Sequence, residues 1–263
     1  MMKKLIIFDM DGTIYLGKNL IDGALSTFNF LKEKNINYVF FTNNSSHSLE
    51  NYYKKISSFG ISCTLEDNFY STSEVLISYL KKNNIRDIYV IANKFLKDKL
   101  TDFNLIPTYQ KDIKIDAVVC AFTTELVYDE LRNASLFLET TDAKFIATNR
   151  DYRCPIEDGL YIPDCGGMCE WLRLTTGKVA KDLGKPDPEI INYFLSKYNL
   201  KKEDILVIGD RIYTDILVAV NAKVDSVLVL SGETKKEELK NYNYSPTYII
   251  PSIKELPNLL KKI

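Results

Sequence analysis

Leu5-Ile6-Ile7-Phe8-Asp9-Met10-Asp11-Gly12-Thr13 is an apolar run cut off by two carboxylates. Leu5 to Phe8 is rich in β-branched and aromatic residues, as buried parallel strands are. The carboxylates then fall at the strand's C-terminal end, where open α/β sheets bind ligands. Gly12 lets the backbone turn away, and Thr13 offers a hydroxyl. Side chains two apart on an extended backbone share a face, so Asp9 and Asp11 reach one small volume. Like charges that close repel. They persist if a cation such as Mg²⁺, which prefers oxygen ligands, sits between them, or if one is protonated and serves as a general acid beside a nucleophile. A strand followed by a mere acidic turn is the plainer alternative for this stretch alone.

The same pattern recurs along the chain. Tyr38 to Phe41 is apolar and stops at Thr42, Asn43, Asn44, Ser45 and Ser46. A short strand near Val179 to Leu183 delivers Gly184-Lys185-Pro186. Ile205 to Ile208 ends at Gly209-Asp210, with Thr214 and Asp215 just beyond. Between the strands lie helical spacings. Asp22 is the expected cap of a helix over residues 23–34, and Ser48 the cap of one ending near Phe59 and Gly60. His47, the only histidine, sits just before that cap and reads as a turn residue. From about residue 80 a second β/α series begins, with strands at 87–92, 117–122 and 144–148. Residues 149–167 form a polar loop with Arg150, Tyr152 and Arg153, and Gly166-Gly167 reads as a turn or helix start. The pattern predicts an α/β fold: a doubly wound parallel-sheet, Rossmann-like core with an inserted α/β cap domain. The boundaries follow as core 1–79, cap 80–180 and core 181–263.

Composition narrows the partners. The chain has 263 residues, a formal net charge of -1, and no basic surplus to attract nucleic acid or an anionic membrane. No run approaches the ~20 apolar residues of a membrane span, and the N-terminus is too short in apolar residues for a signal peptide, so a cytoplasmic protein is expected. Cys63, Cys120, Cys154, Cys165 and Cys169 show no paired CxxC spacing. Cys165 and Cys169 fall one helical turn apart, but the set reads as ordinary reduced thiols.

Four strand ends thus carry Asp9 and Asp11, Thr42 and Asn43, Lys185, and Asp210 with Asp215. Phosphoryl transfer needs this inventory: a carboxylate to attack phosphorus, a cation to neutralise charge, donors for the phosphoryl oxygens and a second acid for the leaving oxygen. DMDGT, TNN, GKP and GDRIYTD, in that order, resemble the four motifs of the haloacid dehalogenase superfamily of phosphatases. DGTIYLG, TNNSS, ATNRD and VNA further resemble its NagD-like, 4-nitrophenyl phosphatase branch, whose large cap lies between the second and third motifs.

The resemblance implies roles position by position. Asp9 is the nucleophile and a metal ligand. Asp11 is the general acid/base, with its carbonyl on the metal. Thr42 and Asn43 bind the phosphoryl group, and Lys185 neutralises it. Asp210 completes the Mg²⁺ site, with Asp215 at or just behind it. Ala219, Lys223 and His47 depart from residues common in the family, outside the catalytic motifs. The implied activity is Mg²⁺-dependent hydrolysis of a small-molecule phosphate ester through an aspartyl phosphate. A phosphomutase or phosphotransferase shares all four motifs. A non-enzymatic receiver-like phosphoacceptor shares the aspartate, threonine, lysine and magnesium, but has neither Asp11 nor a cap. The cap supplies leaving-group contacts, with the 149–167 loop expected to carry substrate choice, and caps of this type often form homodimers.

Overall fold

The computed structural model describes residues 3–44, 49–155 and 160–263. The expectations for His47 and Ser48, and part of that for the 149–167 loop, lie outside the described residues. The chain divides into two compact units.

The first unit takes residues up to Thr42, Leu49–Tyr70 and Lys185–Ile263. Its sheet has six strands in the order Tyr248–Ile250, Asp225–Val229, Ile205–Gly209, Leu5–Phe8, Asn37–Thr42, Phe69–Ser71. Counted along the chain this is 3-2-1-4-5-6, the doubly wound order, with its switch between Leu5–Phe8 and Ile205–Gly209. Leu5 pairs in parallel with both Ile205 and Asn37. Both central strands are buried along their whole length, as continuous apolar runs must be when helices cover both faces. Phe8, Phe28, Tyr38 and Phe40 fill one side, with the Phe8 and Phe28 rings 5.1 Å apart. The end opposite the carboxylates is closed by Lys3, whose ammonium reaches Asp225 at 2.6 Å and the Glu203 carbonyl at 2.8 Å.

Three local features differ from the sequence expectation. Asp22 does not cap the Ala24–Glu33 helix. Gly23 holds the cap position at φ 81° with no side-chain hydrogen bond, and Asp22 pairs with Lys254 at 2.7 Å instead. A Cβ on Gly23 would run into Lys254, so the backbone there belongs to glycine. Phe69–Ser71 is a strand of only three residues, too short to show a period, and Ser71 also caps the Thr72–Lys82 helix with Glu74 completing a capping box. A small hairpin, Tyr15–Leu16 with Asn19–Leu20, which the sequence pattern does not reveal, follows Ile14.

The second unit takes residues 71–184, with Asn43 and Asn44 grouped with it. Its five-stranded parallel sheet runs Asn104–Leu105, Asp87–Ile91, Ala117–Cys120, Lys144–Ala147, Lys181–Asp182. In chain order this is 2-1-3-4-5, the other common doubly wound arrangement. Asn104–Leu105 is an edge strand of two residues that the apolar pattern does not reveal. The helices Tyr128–Thr140 and Cys165–Thr176 pack on one face through Phe137, Leu138, Met168 and Leu172. Gly166 and Gly167 lie in the first turn of the Cys165–Thr176 helix, capped by Asp164. A Cβ on Gly166 would collide with the Arg150 carbonyl, so this glycine allows the helix to approach that segment. Arg153–Pro155 and Tyr161–Pro163 form an antiparallel pair within the expected 149–167 loop. All five cysteines are thiols rather than disulfides. No helix among the described residues is long and apolar enough to cross a membrane.

Candidate active site

Asp9 and Asp210 are the first residues beyond the two strands that flank the switch of the first sheet. The Asp9 amide donates to the Ile208 carbonyl at 2.9 Å, which continues the ladder one step and fixes the aspartate against its neighbour strand. Asp215 comes from the π-helical turn Ile212–Ile216, where the wider winding follows directly on Asp210 and Arg211. A carboxylate oxygen from each of Asp9, Asp210 and Asp215 lies within 4.8 Å of the other two. Lys185, nine-tenths buried, binds two of them: Nζ donates to Asp9 Oδ1 at 2.6 Å and to Asp215 Oδ1 at 2.7 Å. Burial alone would lower its pKa, but the charges of Asp215 and Asp9 outweigh that and hold it above the ordinary lysine value. Lys185 is therefore a permanent cation.

The carboxylates are under the opposite pressure. Burial, then repulsion from Asp215 and Asp9, pushes Asp210 up to about 7. Burial, then Asp9, pushes Asp215 up to about 6 against the pull of Lys185. Asp210 Oδ2 accepts the Glu233 amide at 2.7 Å, while buried Oδ1 has no hydrogen-bond partner among the described residues. Such an orphan in a native interior needs an explanation. Two glycines surround the same carboxylate: a Cβ on Gly12, at φ 82°, or on Gly232 would run into it. Three oxygen donors, an unsatisfied oxygen and a cradle kept clear by glycine fit a hard divalent cation.

Thr42 ends the strand beside Leu5–Phe8. Phe8 pairs with Phe40, so Thr42 stands two residues beyond, at the same sheet edge. Asp11 has an exposed side chain and is not one of the clustered carboxylates. Asn43 is grouped with the second unit, where its amide donates to Asp151 Oδ2 at 3.3 Å and its carbonyl accepts from the Thr72 hydroxyl at 3.0 Å.

Some contributors escape a reading of the sequence. Arg211 is held above its ordinary pKa by Asp9, Asp215 and Glu233 despite the opposing effect of burial, which adds a second cation to the cluster. Its signal was present, an arginine between two site aspartates in GDRIYTD. Ser231 donates to the Gly12 carbonyl at 2.8 Å and so ties the turn after Asp11 to the turn after the Asp225–Val229 strand. Nothing in the sequence marks Ser231 as a partner of Gly12, 219 positions away.

Comparison with known proteins accords with this geometry. The family model described as haloacid dehalogenase-like hydrolase matches residues 6–106, and a related HAD-hydrolase-like model matches residues 182–256. The acid sugar phosphatase of Staphylococcus saprophyticus is 30% identical over 98% of this chain and 98% of its own. The chain belongs to the haloacid dehalogenase-like hydrolases. Among solved structures, the 4-nitrophenylphosphatase of Thermotoga maritima superposes with a TM-score of 0.85 at 32% identity over 97% of each chain. NagD from E. coli K-12 superposes with a TM-score of 0.86 at 27% identity over 97% of this chain and 98% of that one. In this hydrolase the two matched segments carry Asp9 and Asp11 on one side and Lys185, Asp210 and Asp215 on the other. Members of the family generally use a divalent metal, in keeping with the all-oxygen cluster.

Proposed function

We propose that this hydrolase cleaves small phosphomonoesters, sugar phosphates foremost, with Mg²⁺ as cofactor and Asp9 as nucleophile. The observation that carries the reading is the Lys185 ammonium bridging Asp9 and Asp215 beside the orphaned Asp210 oxygen. Relatives named acid sugar phosphatase and 4-nitrophenylphosphatase support the substrate class.

Asp9, Asp210 and Asp215 would hold the Mg²⁺, with the Asp11 carbonyl. The ion supplies charge neutralisation, which lets an anionic nucleophile approach an anionic phosphate. Asp9 Oδ attacks phosphorus, and the bond from phosphorus to the ester oxygen breaks. Lys185 offsets the charge gathered on Asp9 and the phosphoryl oxygens. Thr42 donates to one of those oxygens. Asp11, outside the buried cluster, gives its proton to the leaving oxygen. It then takes one from the water that hydrolyses the aspartyl phosphate, which returns both groups to their starting states.

The test is release of inorganic phosphate from a panel of sugar phosphates, nucleoside monophosphates and 4-nitrophenyl phosphate, with and without Mg²⁺. Sugar phosphates should rank first. No release from any ester, or phosphate moved to a second sugar instead of water, would refute the hydrolase reading. A phosphorylated residue other than Asp9 in quenched turnover would overturn the nucleophile assignment.

A further inference from the structure

We propose that Cys120, Cys165 and Cys169 of the second unit form a binding site for a thiophilic divalent cation of the Zn²⁺ class. The site is independent of the carboxylate cluster and of the phosphatase reading. Cys120 is the last residue of the Ala117–Cys120 strand, and Cys165 and Cys169 are spaced i, i+4 on the Cys165–Thr176 helix. That spacing puts both helical sulfurs on one face, and the face is turned toward the strand end. The three sulfurs lie within 4.8 Å of one another. Cys165 Sγ and Cys169 Sγ are 3.8 Å apart, and Cys165 Sγ donates to the Cys120 carbonyl at 3.3 Å.

The distances suit a metal better than a disulfide. Zn–S bonds of ~2.3 Å in a tetrahedron set the sulfurs about 3.8 Å apart, which is the separation already present between Cys165 and Cys169. A disulfide needs a length of about 2.05 Å and would leave the third thiol over. Cysteine packed merely as a small hydrophobe does not require three sulfurs to converge. Cys63 and Cys154 take no part in the cluster.

Charge favours a divalent ion. Binding Zn²⁺ to three thiols releases three protons and leaves a complex of net charge -1, whereas Cu⁺ with three thiolates leaves -2 in a buried site. The Arg150–Asp182 ion pair, at 3.5 Å, lies close enough to act on Cys169, with its two charges opposing one another. Among the described residues no fourth cysteine, histidine or carboxylate joins the trio. The fourth position falls to solvent or a small ligand on the side of Cys169, the only one of the three with any exposure.

The experiment uses the full chain, reduced and stripped of metal, dialysed against Zn²⁺ or Co²⁺ with Mg²⁺ in excess to saturate the carboxylates. The expected result is one equivalent of retained Zn²⁺ by elemental analysis and a thiolate-to-cobalt charge-transfer band with Co²⁺. Cys165→Ser and Cys169→Ser should each weaken binding at least about tenfold, and Cys63→Ser and Cys154→Ser should leave it unchanged. Should the variants misfold, alkylation of the wild-type protein decides: Zn²⁺ should protect Cys169 while Cys63 and Cys154 react as before. Absence of the charge-transfer band, binding that survives loss of Cys165 or Cys169 in folded protein, or alkylation of Cys169 indifferent to Zn²⁺ each overturns the site.

Discussion

The two sheets of this chain are built alike and equipped differently. Each is parallel and doubly wound, one in the order 3-2-1-4-5-6 and the other 2-1-3-4-5. Each brings together three side chains that could ligate a metal, beyond or at a strand's C-terminal end. In the first unit these are oxygens, two of the three carboxylates bridged by Lys185 and one Asp210 oxygen without a hydrogen-bond partner among the described residues. In the second they are sulfurs packed against a helix. The architecture provides the edge, and the side chains decide whether a hard or a soft cation suits it.

The sharpest way to break the comparison is Asp9→Asn. An amide cannot form the acyl phosphate, so phosphate release should fall below detection, while zinc uptake at the thiols is retained. Residual turnover at more than trace level would remove Asp9 from the chemistry. Asp11→Asn comes next. Losing one general acid/base costs about 10²–10⁴-fold, and the loss should be smaller for 4-nitrophenyl phosphate, whose leaving group needs little protonation. Equal losses for that ester and a sugar phosphate would count against the acid role.

A subtler effect is the pH dependence of stability. The folded carboxyls of Asp210 and Asp215 titrate near about 7 and about 6, against ~3.9 for an unfolded aspartate. Between those values the metal-free folded state holds protons that the unfolded chain has released, so stability falls as pH rises through the window. Stripped of metal, the wild type should lose melting temperature between about pH 4 and about pH 7 relative to Asp210→Asn, and Mg²⁺ should restore it only where Asp210 is intact. A parallel course for the two proteins would mean that Asp210 is not under charge strain. The smallest effect belongs to a contact outside both clusters. Asp22 and Lys254 pair at 2.7 Å with both side chains exposed, so Asp22→Ala should leave the midpoint of chemical denaturation essentially unchanged.

How far the sequence could be read divides along the same line. Asp9 and Asp210 were legible because each follows an apolar run that stops at a charge, and topology sets both runs side by side in the first sheet; Lys185 was legible only from its GKP motif, because the short strand before it pairs in the second sheet instead. The inserted α/β unit was legible from a second series of such runs. Phe69–Ser71 and Asn104–Leu105 were not, because two or three residues carry no period. The Asp22 cap failed because Gly23 adopts a left-handed backbone that no propensity scale anticipates. The one-turn spacing of Cys165 and Cys169 is visible in the sequence, where the set nevertheless reads as ordinary reduced thiols. The approach of Cys120 is not visible, because it joins them from 45 positions away through tertiary packing alone.

The pairing of Leu5 with Ile205 carries a consequence for synthesis. The central strands of the first sheet are separated by about 200 residues, so at ~5–20 residues per second the first waits roughly 10–40 s on the ribosome for its partner. Residues 71–184 are continuous and precede that partner strand by about 20 residues, or roughly 1–4 s. The inserted unit can therefore close its own sheet, thiols included, while Leu5 to Phe8 still lacks a neighbour on one edge. The carboxylate cluster, which joins Asp9 to Asp210 and Asp215, cannot form until the chain of the inserted unit has been made.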